Sequence, residues 1–230
     1  MPFPLMVFAA GFGTRMGALT AQRPKPLIEV AGRPLIDHAL DLAEQAGASP
    51  VVVNTHYLAD QIAHHLAGRP VRLSHEPDRI LETGGGLRKA LPLLGNGPVM
   101  TLNSDAVWTG LNPLSQLMAH WDNDRMDALL LLLPAQTANG HSGTGDFLAD
   151  AQGRLTRAKG TAGLVYLGAQ ILHTERLQAI DQDVFSLNLL WDQMIENGRA
   201  YGLVHQGGWC DVGRPEGIAE AEALLKAPHV

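Results

Sequence analysis

Four side chains have types and settings suited to phosphate chemistry: Arg15, Lys25, Asp105 and Asp211. Arg15 follows a glycine-rich turn, Ala9-Ala10-Gly11-Phe12-Gly13-Thr14, at the end of the apolar run Leu5 to Ala10. Glycines let backbone N–H groups approach an anion closely, and the arginine adds a fixed positive fork. Lys25 stands between Pro24 and Pro26. Proline fixes φ and restricts the residue before it, so this lysine sits on a stiff stalk. Amides cradling phosphate beside a rigidly presented lysine suit a nucleoside triphosphate. Asp105 ends the run Leu102-Asn103-Ser104, where packing gives no reason for a carboxylate. Asp211 lies in Gly208-Trp209-Cys210-Asp211-Val212-Gly213, and strand alternation puts it on one face with Trp209, opposite Cys210 and Val212. Taken alone, each aspartate could be a cap or turn residue.

Apolar periodicity supplies the elements that must position these groups. Strands are expected at Leu5 to Ala10, Pro50 to Asn54, Val71 to Glu76, Val99 to Asn103 and Asp127 to Leu133, the last unbroken and therefore central. Helices are expected at Ile36 to Ala46, Ala59 to Leu66, Leu87 to Leu94 and Pro113 to Trp121, with Asn112 as cap. Leu81 to Gly86 reads as a loop. This alternation implies a Rossmann-like, mostly parallel, doubly wound α/β sheet with ligands beyond the strands' carboxyl ends. The glycine turn, Asn54, the Glu82–Gly86 stretch and Asp105 would then share one crevice. After Pro134 the pattern changes. Antiparallel strands are expected at Gly145 to Leu148, Leu155 to Lys159 and Leu164 to Leu172, as a small insertion on the acceptor side. Helices at Thr174 to Ile180 and Leu187 to Asn197, a strand at Tyr201 to His205 and a helix from Pro215 to Lys226 complete the chain. We read one domain: a nucleotide half (1–135), an acceptor half (136–214) and a terminal helix (215–230).

The totals narrow the function. The chain has 230 residues, 46% hydrophobic and 17% charged, enough for one large core. A net charge of −6 argues against nucleic acid and anionic membranes. No apolar run is long enough to span a bilayer, and no signal peptide is expected, because the first apolar stretch lacks a basic flank. The single cysteine, Cys210, excludes an internal disulfide and a cysteine-based zinc site. A cytoplasmic enzyme, monomeric or a small homo-oligomer, fits these totals. The ten histidines form no H-x-x-x-H pair beside a carboxylate and read as solvated faces. A dinucleotide-binding turn is disfavoured by Met16 at the third glycine position and by the two prolines downstream; no Walker A pattern is present.

The joint pattern Ala9-Ala10-Gly11-x-Gly13-Thr14-Arg15-Met16, then Pro24-Lys25-Pro26-Leu27, resembles the signature of the sugar-1-phosphate nucleotidylyltransferases. The resemblance covers both ends and the middle of the chain. It implies a glycosyltransferase-A-like fold, a nucleoside triphosphate (best UTP) and a sugar 1-phosphate (best N-acetylmuramate 1-phosphate) as substrates, and a place in cell-wall recycling. It implies Mg²⁺ on Asp105 and Asp211, Lys25 on the transferring and acceptor phosphates, and Arg15 on the departing pyrophosphate. Nucleotide contacts fall on Ala9, Ala10, Gly11, Gly13, Thr14, Asn54, Glu82, Thr83, Gly84 and Gly85, although the glycine run taken by itself also reads as a flexible helix entry. Sugar contacts fall on Asp146, Tyr166, Gly168 and Asn188. The chain departs from the pattern at Ser104, where glycine is frequent, in the longer Ala106-Val107-Trp108 stretch, and at Arg214, where threonine is common. Other readings are a guanylyl- or thymidylyltransferase on mannose, heptose or glucose 1-phosphate, or a nucleotide-sugar binder without turnover.

Overall fold

A computed structural model describes residues 2–227. The first half contains β1 (Leu5–Phe8), β2 (Glu29–Val30), β3 (Arg33–Pro34), α1 (Leu35–Gln45), β4 (Val51–Thr55), α2 (Ala59–His65), β5 (Val71–His75), α3 (Glu82–Leu94), β6 (Val99–Asn103), β7 (Ala106–Trp108), α4 (Pro113–His120) and β8 (Ala128–Pro134). The second contains β9 (Phe147–Ala149), β10 (Leu155–Arg157), β11 (Leu164–Leu172), α5 (Asn188–Glu196), β12 (Ala200–Val204), β13 (Trp209–Asp211) and α6 (Glu216–Lys226). Short 3-10 turns cover Thr14–Thr20, Lys25–Leu27 and Glu175–Ala179, the last replacing the helix expected at 174–180.

The main sheet runs β12-β8-β11-β6-β1-β4-β5. β1 lies between β4 and β6, all parallel, and β5 extends the same direction at one edge. β11 is antiparallel to both β6 and β8, and β12 is parallel to β8. The architecture is the expected mostly parallel α/β sheet. Three details differ. β8 is next to the edge rather than central; its apolar run reflects cover on both faces and a partner on each side. β11 belongs to the main sheet and the β9–β10 hairpin joins it through β11, so the separate antiparallel ribbons are β7–β13 and β2–β3. β7 itself is too short for periodicity to show.

Apolar side chains fill both faces of the sheet. Leu5, Val7 and Val53 pack with Ile36, Leu40 and Ile62 of α1 and α2. Met6, Val52 and Leu130 pack with Leu87 of α3 and Trp191 of α5. A third, smaller core lies under α6, where Met16, Val107, Cys210 and Val212 meet Ala221. Trp209 belongs to the first core and Cys210 with Val212 to the third, the division that strand alternation predicts. Among the described residues, no helix is long and apolar enough to cross a membrane.

α3 starts at Glu82, five residues before the expected start. Three glycines can open a helix here because neighbours stand where side chains would go. A Cβ at Gly84 would strike the Phe185 ring, and one at Gly85 would strike the Asp183 carbonyl. The N–H groups of Gly84 and Gly85 both donate to Phe185 O, at 2.9 and 3.1 Å. The remote 183–187 segment therefore caps the helix.

Candidate active site

Asp105 and Asp211 are 106 positions apart in sequence and are brought together by the β7–β13 ribbon. Asp211 pairs with Ala106, and the Val212 N–H donates to Asp105 O at 2.8 Å. The Asp211 N–H donates to Asn139 O at 3.0 Å, which fixes the other side of the strand. Ser104, where glycine is frequent in relatives of this pattern, has a use: its hydroxyl donates to Phe8 O at 2.7 Å and ties the end of β6 to the end of β1.

Lys25 reaches the same place from the proline stalk. Its Nζ donates to Asp105 Oδ2 at 2.7 Å, and the residue is 8% exposed. Gly13 makes room for it. That glycine adopts φ +66°, and a Cβ there would stand 2.8 Å from Lys25 Cβ. The Asp211 carboxyl is pushed up to about 6 by burial and by the charge of Asp105, with Lys25, Arg15 and His141 pulling the other way. Arg15 is exposed, and its guanidinium lies over Gly213, 3.0 Å from where a Cβ would stand, beside Asp211 Oδ2. The structure thus groups all four expected charged residues at one end of a crevice.

The crevice continues into a cleft of about 210 Å³. Ala10 and Gly11 form one wall, Ile80, Glu82 and Thr83 the other, with Asn54 and Asp105 contributing. Gly11 and Thr14 are exposed, while Ala9 is buried. Asn54 is 3% exposed and its carboxamide is engaged on both sides: Oδ1 accepts from Ala9 N–H at 2.7 Å, and Nδ2 donates to Glu76 Oε1 at 2.8 Å. The Gly84 and Gly85 amides are committed to Phe185, and Thr83 Oγ1 accepts from Leu187 N–H at 3.0 Å. At this wall Glu82 alone of the expected polar side chains stays exposed, with φ 60°.

The expected sugar residues are more scattered. Asp146 is exposed, and its Oδ2 accepts from Tyr166 N–H at 2.9 Å. The Tyr166 ring turns inward onto Trp191, 4.9 Å between centroids. Its hydroxyl meets Thr101 and Gln170, and burial pushes its pKa upward. That side chain belongs to the second core, not to a pocket wall. Gly168 lies in a register shift of β11 at φ +86°, where a Cβ would stand 2.8 Å from Asn103. Asn188 is exposed at the start of α5 and donates to Ser186 Oγ.

Two residues escaped the sequence reading. Glu76 follows β5, but that strand, Val71-Arg72-Leu73-Ser74-His75, alternates apolar and polar residues, so the rule of a carboxylate after an apolar strand that marks Asp105 does not reach it. His141, beside Asp211, carries no pattern that singles it out.

The family profile of the MobA-like NTP transferase domain matches residues 5–164. The N-acetylmuramate alpha-1-phosphate uridylyltransferase of Caulobacter vibrioides is 41% identical over 96% of each chain. The chain belongs to the sugar-1-phosphate nucleotidylyltransferase family. The enzyme of the same name from Neisseria meningitidis serogroup B is 35% identical, covering 96% of this chain and 98% of its own. Among solved structures, HddC from Yersinia pseudotuberculosis complexed with GMP-PN superposes with a TM-score of 0.77 at 20% identity, over 97% and 100% of the two chains. A Bacillus anthracis protein crystallised with sucrose gives 0.82 at 15% identity, over 99% and 97%. These two share the fold. This nucleotidylyltransferase carries Arg15, Lys25 and Asp105 inside the matched profile and Asp211 beyond it.

Proposed function

We propose that this nucleotidylyltransferase joins UTP to N-acetylmuramate 1-phosphate, releasing pyrophosphate and giving a UDP-sugar for cell-wall recycling in the cytoplasm. The observation that carries the reading is the meeting of Lys25, Asp105 and Asp211 at the mouth of the cleft. The uridylyl and N-acetylmuramate assignments rest on the relatives from Caulobacter and Neisseria.

The acceptor phosphate is already a nucleophile, so the task is to bring anions together and offset charge at the α-phosphate. Lys25 supplies one fixed cation, held by Asp105 and aimed into the crevice. Arg15, exposed beside Gly213, is placed to hold the departing pyrophosphate. The amides of the glycine turn offer donors to the remaining phosphate oxygens. No side chain has to form a covalent intermediate.

Of the two adjoining carboxylates only Asp105 is bonded to Lys25, and burial leaves Asp211 in need of positive charge. That donor set fits Mg²⁺, which often takes one or two protein carboxylates and fills its shell with substrate phosphates and water. Asp105 and Asp211 would hold it. Among the described residues no cluster of three or more His, Cys, Asp or Glu residues competes as a metal site. When bound, the ion supplies charge stabilisation at the transferring phosphoryl group.

The test is pyrophosphate release with Mg²⁺, crossing UTP, dTTP, CTP and GTP with the 1-phosphates of N-acetylmuramate, N-acetylglucosamine, glucose, mannose and heptose. Release confined to UTP with N-acetylmuramate 1-phosphate is the expected result. Release with another pair would keep the mechanism and replace the substrates. Binding of nucleotide with no release from any pair would overturn the enzymatic reading of the site.

A further inference from the structure

The Glu76 carboxylate takes no part in the chemistry at Lys25, Asp105 and Asp211, yet the residue is only 1% exposed. A carboxylate so buried is costly unless its oxygens are taken up. Both are. Oε1 accepts from Asn54 Nδ2 at 2.8 Å and Oε2 from the Leu81 backbone N–H at 2.8 Å. Leu81 directly precedes α3, so the carboxylate also meets the positive end of that helix. Asn54 carries the connection onward by accepting from Ala9 N–H.

Ala9, Asn54, Glu76 and Leu81 therefore form one line of hydrogen bonds behind the cleft. One end is the glycine-turn wall, continuing into Ala10 and Gly11. The other is the wall formed by Ile80, Glu82 and Thr83. The brace has no slack: a Cβ at Gly86 would stand 3.0 Å from Glu76 Oε1 and 3.1 Å from Asn54 Nδ2.

We propose that Glu76 is a positioning residue that sets the spacing of the two cleft walls and, through it, which nucleobase the enzyme accepts. The inference rests on the reading of this cleft as the base site. A carboxylate accepts at both oxygens and donates at neither. A glutamine at position 76 could satisfy Asn54 or Leu81 but not both, because its amide nitrogen would face one of the two donors. One wall would then be released. Contacts to the base contribute alike to ground and transition states, so their loss raises KM and spares kcat.

The experiment compares wild type, Glu76→Gln and Gly86→Ala in steady-state kinetics with Mg²⁺, saturating sugar 1-phosphate and each of UTP, CTP, dTTP and GTP. For Glu76→Gln the expected result is a KM for the preferred triphosphate raised about ten-fold and a kcat within about three-fold of wild type. Preference over the next-best base should fall about five-fold or more. Gly86→Ala keeps the carboxylate but wedges the brace, and it should give the same signature. Its helical position tolerates alanine, so it decides the matter alone if melting curves show Glu76→Gln to be unfolded. Unchanged KM and base preference would overturn the proposal, as would a loss of kcat with preference intact. The wild-type panel tests the uridylyl reading separately. Preference for another base would overturn that reading and leave the brace result standing, because each variant is judged against the wild-type preference. If no pair turns over, dissociation constants of the four triphosphates replace KM and decide in the same way.

Discussion

On the proposed function one end of the crevice takes the phosphates and the other the base, and the two ends solve opposite problems. At the phosphate end, charged groups retain capacity: Asp105 is bonded to Lys25 alone among side chains, and Asp211 is held through its backbone while its carboxyl stays under electrostatic pressure. At the base end the polar side chains are used up. Asn54, Glu76 and Thr83 are engaged with neighbouring segments, which leaves backbone edges and Glu82 facing the cleft. The phosphate end is thus built to complete its bonding with a ligand, and the base end is built to hold its shape without one. The first should govern turnover at a cost in stability; the second should govern stability and selectivity.

Removing a carboxylate at the phosphate end is the strongest way to break this division. Asp105→Ala and Asp211→Asn should each lower pyrophosphate release on the order of a thousand-fold. Asp211→Asn should also stabilise the protein in chelator. Its carboxyl pKa is raised to about 6 in the folded state against 3.8 ordinarily, so ionising it costs the folded state stability, fully so above pH 6. Relief of that cost, on the order of 2 kcal/mol, should appear in denaturant melts at pH 7.5 and vanish below about pH 4. An Asp211→Asn variant that loses both activity and stability would contradict the separation.

Lys25→Ala comes next. On the proposed function the lysine is a point charge between two substrate phosphates, and a drop of about a hundred-fold in kcat is expected. Arg15 lies on the pyrophosphate side and cannot replace it. A change confined to KM for UTP would move Lys25 from the reacting phosphates to the binding of the departing ones.

Gly84→Ala tests the base end. The new methyl group must displace the Phe185 ring or carbonyl, an overpacking cost of about 2 kcal/mol in denaturant unfolding. Stability should fall well before turnover does. Equal losses in both would mean that the 183–187 segment acts on the chemistry and not only on the helix it caps.

The phosphate end was legible in the sequence because each of its residues breaks a local rule. A lysine between prolines, a carboxylate after an apolar strand and an arginine in a glycine turn have no packing reason to be there. The base end was only half legible. The glycines at 84–86 look alike whether they wrap a ligand or admit remote neighbours; the segment that fills the space at Gly84 and Gly85 lies a hundred residues away, and Glu76 and Asn54 fill it at Gly86. Alternation groups Leu164, Tyr166 and Leu172 on one face of β11 but cannot say which face looks outward; Trp191 of α5 decides it. The acceptor side suffered most, because its strands follow no periodic signal for joining the main sheet.

The smallest expected effect concerns a histidine behind the β7–β13 ribbon. His205 Nδ1 accepts from Gln116 Nε2 at 2.8 Å, Nε2 donates to Thr109 O at 3.2 Å, and the ring stands 5.1 Å from that of Trp108. The imidazole is therefore neutral, and burial lowers its pKa below the ordinary 6.5. The unfolded chain takes up this proton first as the pH falls, so the stability tied to His205 is complete above pH 6.5 and is lost with acidification below it. Asp211 has the opposite sign, since its folded state binds a proton more readily than the unfolded chain. Between pH 4 and 6.5 the two oppose each other, and wild-type stability should change little on their account. His205→Gln should uncover the Asp211 contribution as a gain in stability on acidification, and Asp211→Asn should uncover the His205 contribution as a steeper fall. Melts of the two variants at pH 5.5 and 7.5 measure this directly. Parallel slopes in both would mean that neither group carries the titration, and that the ribbon holds the aspartates in place without the electrostatic tension assigned to it.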